Sequence, residues 1–137
     1  MTTRYLTVGD YFECCDQEVD GGHQTELPDL PSVWTALLAP ATRVGRFAAY
    51  PSFTAKVVVM TLALIAAAGE TGSSDGATLR AIQRFCTQND VLWQATLGEA
   101  QEFRRLARAV RSGALTGRQL ETWLFRRMLF SEGGSVT

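Results

Sequence analysis

The amino-acid sequence predicts an all-α protein, a compact bundle of about six helices. Apolar residues recur at every third or fourth position, as they do at Leu120, Trp123 and Leu124. No segment alternates apolar and polar residues in the way a half-buried strand does. The chain has 137 residues, of which 46% are hydrophobic. This is enough for one buried core but too short for two. We therefore expect one domain over residues 1–131 and a disordered tail over 132–137.

The predicted helices are bounded by residues that start or stop helical structure. Thr7 and Asp10 form a capping-box-like start, Ser32 and Thr116 are plausible N-caps, and Pro51-Ser52 opens the longest helix. Residues Ala41–Tyr50 are expected to form a loop or a short β-hairpin. The predicted helices cover about 7–19, 32–39, 52–69, 77–88, 92–112 and the segment from 116 onward.

Segment Ala55–Ala68 is almost unbroken in its apolar character. Its length of 14 residues is well short of the roughly 20 that span a bilayer. We therefore expect a central helix surrounded by its neighbours, and no membrane partner.

Charge and cysteine content exclude several classes of function. A net charge of −1 gives no general attraction to nucleic acid, and the arginines at 104, 105, 108 and 111 are expected to lie on a solvated helix face. Three cysteines, Cys14, Cys15 and Cys86, do not make a disulfide framework or a zinc motif. We expect reduced, structural thiols in a cytoplasmic protein.

Four segments carry a family resemblance through their order and spacing. They are Arg4-Tyr5-Leu6-Thr7-Val8 with Asp10; Asp29-Leu30 with Ala36-Leu37 and Pro40; Tyr50-Pro51-Ser52 with Lys56; and Gly113-Ala114-Leu115 with Trp123-Leu124. Together they resemble the Doc-like branch of the Fic/Doc (death-on-curing) family over nearly the whole chain. The resemblance implies a helical bundle with a flap, and it places the family signature His-Pro-Phe-x-Asp/Glu-Gly-Asn-x-Arg at the loop that begins with Thr71.

In that family the signature transfers an AMP or phosphoryl group to a protein hydroxyl. The histidine is the general base, the acidic residue holds Mg²⁺, and the following helix start with its asparagine and arginine cradles phosphate. Here Thr71 stands for the histidine, Ala77 for the asparagine and Leu79 for the arginine. Only Asp75 and Gly76 match, and the chain's one histidine, His23, lies elsewhere. Threonine is no base near neutral pH, so we expect no transfer of the family type.

The leftover polar residues define a candidate cleft. Asp75 is a candidate Mg²⁺ ligand together with an anionic ligand, although capping of the next helix by Ser74 or Asp75 is the commoner role. No other cofactor is expected, and no catalytic residue is assigned. Arg80 is one position late for the family arginine, and Arg43 and Arg46 lie in the flap segment. The candidate residues are Tyr50, Arg43, Arg46, Thr71, Ser73, Ser74, Asp75, Gly76, Thr78 and Arg80.

Three functions are compatible with this pattern. The leading hypothesis is a pseudoenzyme, a Fic/Doc scaffold that binds a small ligand or a protein partner at the cleft and regulates it. The second is a repurposed enzyme that uses the emptied cleft for a different small molecule, for example in specialised biosynthesis. The third is a component of a toxin–antitoxin system.

Overall fold

The computed structural model describes residues 2–19, 29–69 and 74–130. Within these ranges the chain forms six α-helices, which confirms the predicted helical bundle. They are α1 Val8–Val19, α2 Leu30–Leu38, α3 Phe53–Ala67, α4 Asp75–Gln88, α5 Glu99–Arg111 and α6 Gly117–Phe125. The strands are β1 Arg43–Val44, β2 Phe47–Ala48, β3 Val91–Trp93 and β4 Met128–Phe130. The predicted tail, 132–137, lies outside the described residues.

Helix α3 is the central element of the bundle, as its apolar sequence predicts. It packs against α2, α4, α5 and α6, and its side chains Val57, Met60 and Leu64 lie in the core. The one buried hydroxyl on this helix, that of Thr61, donates to the Val57 carbonyl at 2.7 Å, so burial leaves it satisfied. Across the described ranges, no helix has the length and apolarity needed to cross a membrane.

The helix starts follow local capping chemistry. Thr7 and Asp10 bond each other's backbone amides at 2.9 and 3.1 Å, and Thr116 forms a capping box with Gln119. The prediction for α2 is wrong at its start, because Asp29 rather than Ser32 is the cap. The Asp29 carboxylate accepts the Ser32 amide at 3.0 Å, so the helix begins two residues earlier than expected.

The predicted helix over 92–112 is wrong in its first part. Residues Val91–Trp93 form β3, which pairs antiparallel with β4, and Leu92 lies opposite Leu129. Helix α5 begins only after Gly98, whose φ of +78° ends the preceding loop in a left-handed turn. The pairing joins residues almost forty positions apart, as Val91 and Phe130 show, so local periodicity could not reveal it.

The expected hairpin over Ala41–Tyr50 is present as the β1–β2 pair. Gly45 takes a φ of +63° in its turn, which suits glycine. Beneath the hairpin, Lys56 of α3 donates from Nζ to the Tyr50 carbonyl and, at 3.2 Å, to the Pro51 carbonyl. Burial lowers the pKa of this amine. The contact fixes the base of the hairpin to the central helix.

A buried carboxylate joins α4, β3 and the start of α5. Glu99 Oε1 accepts from Gln83 Nε2 at 2.7 Å and from Trp93 Nε1 at 3.1 Å. Its Oε2 accepts the Thr96 amide at 3.2 Å. Three donors from different elements thus converge on one carboxylate, which orders the β3–α5 connection.

We expect Glu99→Ala to lower the free energy of unfolding by about 2–4 kcal/mol, because the Trp93 indole, the Thr96 amide and the Gln83 amide all lose their hydrogen-bond acceptor. Chemical denaturation monitored by circular dichroism measures the change. Glu121→Ala, on the exposed face of α6, is the matched control and should change stability by less than about 0.5 kcal/mol. Equal losses for the two variants would contradict the role assigned to Glu99.

Candidate functional site

The start of α4 is organised around an ion pair between Asp75 and Arg111. Asp75 is only 2% exposed. Arg111, from the last turn of α5, donates from Nη1 to Oδ1 at 2.9 Å and from Nη2 to Oδ2 at 2.8 Å. The guanidinium also donates to the Ile65 carbonyl of α3 at 3.3 Å. One side chain thus joins α3, α4 and α5.

Both partners of this pair lie where helix electrostatics favour them. Asp75 occupies the first turn of α4, near the partial positive charge of that helix end. Arg111 occupies the last turn of α5, near the partial negative charge. The bidentate hydrogen bond that Arg111 donates to Asp75 raises the pKa of the guanidinium above its ordinary value. The two helix ends and the two charges therefore reinforce one another.

The pair changes what Asp75 can do chemically. Each of its carboxylate oxygens already accepts a charged hydrogen bond, so a divalent cation at this position would compete with the Arg111 guanidinium for the same carboxylate. Among the described residues, no group of three or more His, Cys, Asp or Glu side chains is placed to hold a metal ion. The geometry of Asp75 is that of a buried structural ion pair.

Ser74 and Thr78 lie beside Asp75 without serving the predicted cap. Ser74 is the residue before α4, but its side chain makes no capping hydrogen bond. Its carbonyl accepts the Thr78 amide at 3.0 Å and the Thr78 hydroxyl at 3.1 Å. The buried hydroxyls of Ser74 and Tyr11 lie close to each other in the interior. Burial raises the pKa of Tyr11, so these are neutral, enclosed hydroxyls.

The positions that would cradle phosphate in the family are packed into the core. Gly76, Ala77 and Leu79 are buried. Leu79 stands where the family arginine would be, and its side chain belongs to the hydrophobic core. The next residue, Arg80, is exposed, in keeping with the rotation of about 100° between successive helical residues. The start of α4 therefore presents an apolar side chain where a cation would be needed.

The remaining candidates lie on or beside the hairpin. Arg43 and Arg46 are exposed, and Arg43 Nη2 donates to the Arg46 carbonyl across the turn. Tyr50 is half-buried, and its carbonyl accepts Lys56. Thr71 and Ser73, like His23, lie outside the described residues. The structure thus brings Ser74, Asp75, Gly76 and Thr78 together at one helix end and places the two arginines in the β1–β2 hairpin.

Sequence reasoning missed Arg111 as a site residue. We expected it on a solvated arginine face with Arg104, Arg105 and Arg108; the expectation is wrong for Arg111 because it turns inward to meet Asp75. The partners are 36 residues apart, and their contact depends on how α4 and α5 pack. The available signal was Asp75 itself, since a carboxylate in an apolar helix start needs a partner.

The three cysteines are free and buried. Burial raises the pKa of Cys14 and raises that of Cys86 to about 12. Cys15 lies next to the Tyr11 hydroxyl in the same interior region. A nucleophilic thiol needs access and a lowered pKa, so the placement agrees with the expected structural role.

A scan against family models finds no match to this chain, and comparison with the curated proteins and with the solved structures finds no significant match either. The resemblance to the Fic/Doc family therefore rests on the sequence segments quoted above.

We expect Asp75→Asn and Arg111→Met each to reduce the free energy of unfolding by about 2–4 kcal/mol, because each leaves its charged or polar partner buried and unpaired. The double variant Asp75→Asn/Arg111→Met should cost less than the sum of the two single losses, with a coupling of about 2 kcal/mol. Denaturant unfolding of the four proteins measures it. Additive losses would mean that the two side chains do not depend on each other.

We expect the native thiols to react with Ellman's reagent at pH 8 at least about 100-fold more slowly than the thiols of the unfolded chain. The reason is that burial both excludes the reagent and suppresses the thiolate. Absorbance at 412 nm with and without denaturant gives the two rates. A native thiol that reacts at the unfolded rate would identify an accessible nucleophile and contradict the structural role.

Proposed function

We propose that this chain is a non-catalytic Fic/Doc-like protein that acts in the cytoplasm by binding and regulation and does not transfer AMP or phosphate. The observation that carries the proposal is the Asp75–Arg111 ion pair, with both carboxylate oxygens bonded at 2.8–2.9 Å. The residue that corresponds to the family's metal ligand has become part of the packing between helices.

Each chemical requirement of the family reaction lacks a suitable group here. Transfer needs a base for the attacking hydroxyl, and Thr71 replaces the histidine. It needs a free carboxylate for Mg²⁺, and Asp75 is bonded to Arg111. It needs a cation for the phosphate oxygens, and buried Leu79 takes that place. The two substitutions and the ion pair remove one chemical role each, so restoring any single residue does not rebuild the reaction.

A groove on the surface of the bundle supports a binding role. A groove of about 440 Å³ lies between α2 and α3, and its described lining consists of small apolar and hydroxyl side chains such as Thr35, Ala36 and Ala63. Such a lining can hold a weakly polar molecule or an apolar side chain of a partner. Among the described residues this lining contains no acidic or basic side chain, which favours a binding role over the alternative of a repurposed enzyme.

The test is calorimetric titration of the wild-type protein with Mg²⁺-ATP, with Asp75→Asn and Glu121→Gln as matched neutralisations of a buried and an exposed carboxylate. We expect no saturable heat up to millimolar nucleotide for the wild type, because Asp75 at the start of α4 is bonded to Arg111 and Leu79 is apolar and buried.

One result would overturn the proposal. Saturable binding of Mg²⁺-ATP in the micromolar range, weakened at least about tenfold by Asp75→Asn and unchanged by Glu121→Gln, would mean that Asp75 leaves Arg111 to bind metal. The wild-type measurement is preferable to grafting the signature back, since Ala77 and Leu79 are buried and larger residues there would disturb the core.

A further inference from the structure

The outer face of α2 carries an apolar ridge. Leu30, Trp34 and Leu38 recur at intervals of four residues and therefore share one side of the helix. Their exposed fractions are 52%, 56% and 52%, and the row is about 12 Å long. The opposite face of α2, with Val33, Ala36 and Leu37, is buried. We call Leu30, Trp34 and Leu38 the α2 ridge.

The hairpin that follows α2 in the chain carries a second set of exposed apolar residues. Val44 and Phe47 form a cross-strand pair, with exposed fractions of 70% and 72%. Single exposed apolar residues are ordinary, but a helical row followed by an exposed apolar pair is not. Trp and Phe are also the residue types that dominate binding energy at protein interfaces.

Charge in this region is of one sign. From Leu30 to Gly69 the sequence contains no Asp or Glu, and its charged residues are Arg43, Arg46 and Lys56. Lys56 is buried beneath the hairpin, whereas Arg43 in β1 and Arg46 in the turn are exposed. The nearest carboxylate along the chain, Asp29, caps the other end of α2, where it accepts from the Ser32 amide and hydroxyl. The ridge is therefore uncharged, and the two exposed arginines lie in the hairpin that follows its C-terminal end.

We propose that the α2 ridge and the hairpin dock an acidic amphipathic helix of a protein partner. The partner's apolar residues lie along Leu30, Trp34 and Leu38, and its carboxylates lie at the hairpin end, beside Arg43 and Arg46. This proposal names the partner class for the binding function proposed above and rests on it. The charge polarity of the surface also sets which end of the partner's apolar stripe carries the acidic residues.

The same charges argue against two other occupants. In a two-fold dimer of this chain the patch would face its own copy, so cationic ends would not meet carboxylates from the patch. An anionic membrane is usually bound through clusters of about 4–8 Lys or Arg, and this surface exposes Arg43 and Arg46 alone within Leu30–Gly69. An acidic protein helix satisfies both the apolar row and the two arginines.

The test is an NMR titration of isotopically labelled protein with two synthetic helical peptides that share one leucine stripe and differ only in flanking glutamates or lysines. We expect the glutamate peptide to bind at least about tenfold more tightly than the lysine peptide. The shifted amides should cluster in residues 30–48, and the difference should shrink with added salt.

Variants locate the binding determinants. Arg43→Glu/Arg46→Glu should remove or invert the preference for the glutamate peptide, and Trp34→Ala should weaken both peptides at least about tenfold. Arg105→Glu/Arg118→Glu makes the same change of net charge at exposed positions on α5 and α6 and should leave the preference intact. The amide spectrum of each variant reports its folding in the same experiment.

Several outcomes would overturn the proposal. These are equal affinity for both peptides, shifts outside residues 30–48, an equal effect of the two arginine pairs, concentration-dependent dimerisation that broadens the ridge amides, or stronger binding to phosphatidylglycerol vesicles than to the glutamate peptide. None of these outcomes involves nucleotide. The Mg²⁺-ATP titration therefore tests the proposed loss of catalysis separately.

Discussion

The Asp75–Arg111 ion pair is the constraint on which the candidate site depends. It crosses from the start of α4 to the end of α5, and the same guanidinium reaches the Ile65 carbonyl of α3. Removing two charges from water is costly unless geometry and hydrogen bonds compensate, and here a bidentate contact and two helix ends do so. A carboxylate held in this way stabilises the arrangement of three helices and is not free for reactions at the helix start.

The ion pair and the α2 surface both contact helix α3. Helix α2 packs along α3, and the far end of α3 is tied to Arg111. The base of the hairpin is tied to the same helix through Lys56. The ridge and the hairpin are thus both attached to the central helix. In the binding role proposed for this chain, such attachment reduces the ordering cost of association.

Much of the fold was predictable from the sequence because it depends on neighbouring residues. The Thr7–Asp10 start, the Ser52 and Thr116 caps and the hairpin over Ala41–Tyr50 each follow from side chains within a few positions. The β3–β4 pairing and the inward turn of Arg111 were not predictable, since both join segments more than thirty residues apart. At the candidate site the sequence located Asp75 but not its partner, so it suggested a cap or a metal ligand where packing makes an ion pair.

Lys56 has a practical consequence for work with this protein. It is the only lysine in the sequence, and its amine lies under the hairpin, bonded to two backbone carbonyls. Acylating reagents, amine-directed crosslinkers and lysine acetyltransferases therefore meet no accessible lysine side chain on the folded molecule. Reaction at Lys56 reports release of the hairpin from α3, which makes this residue a built-in probe of local opening.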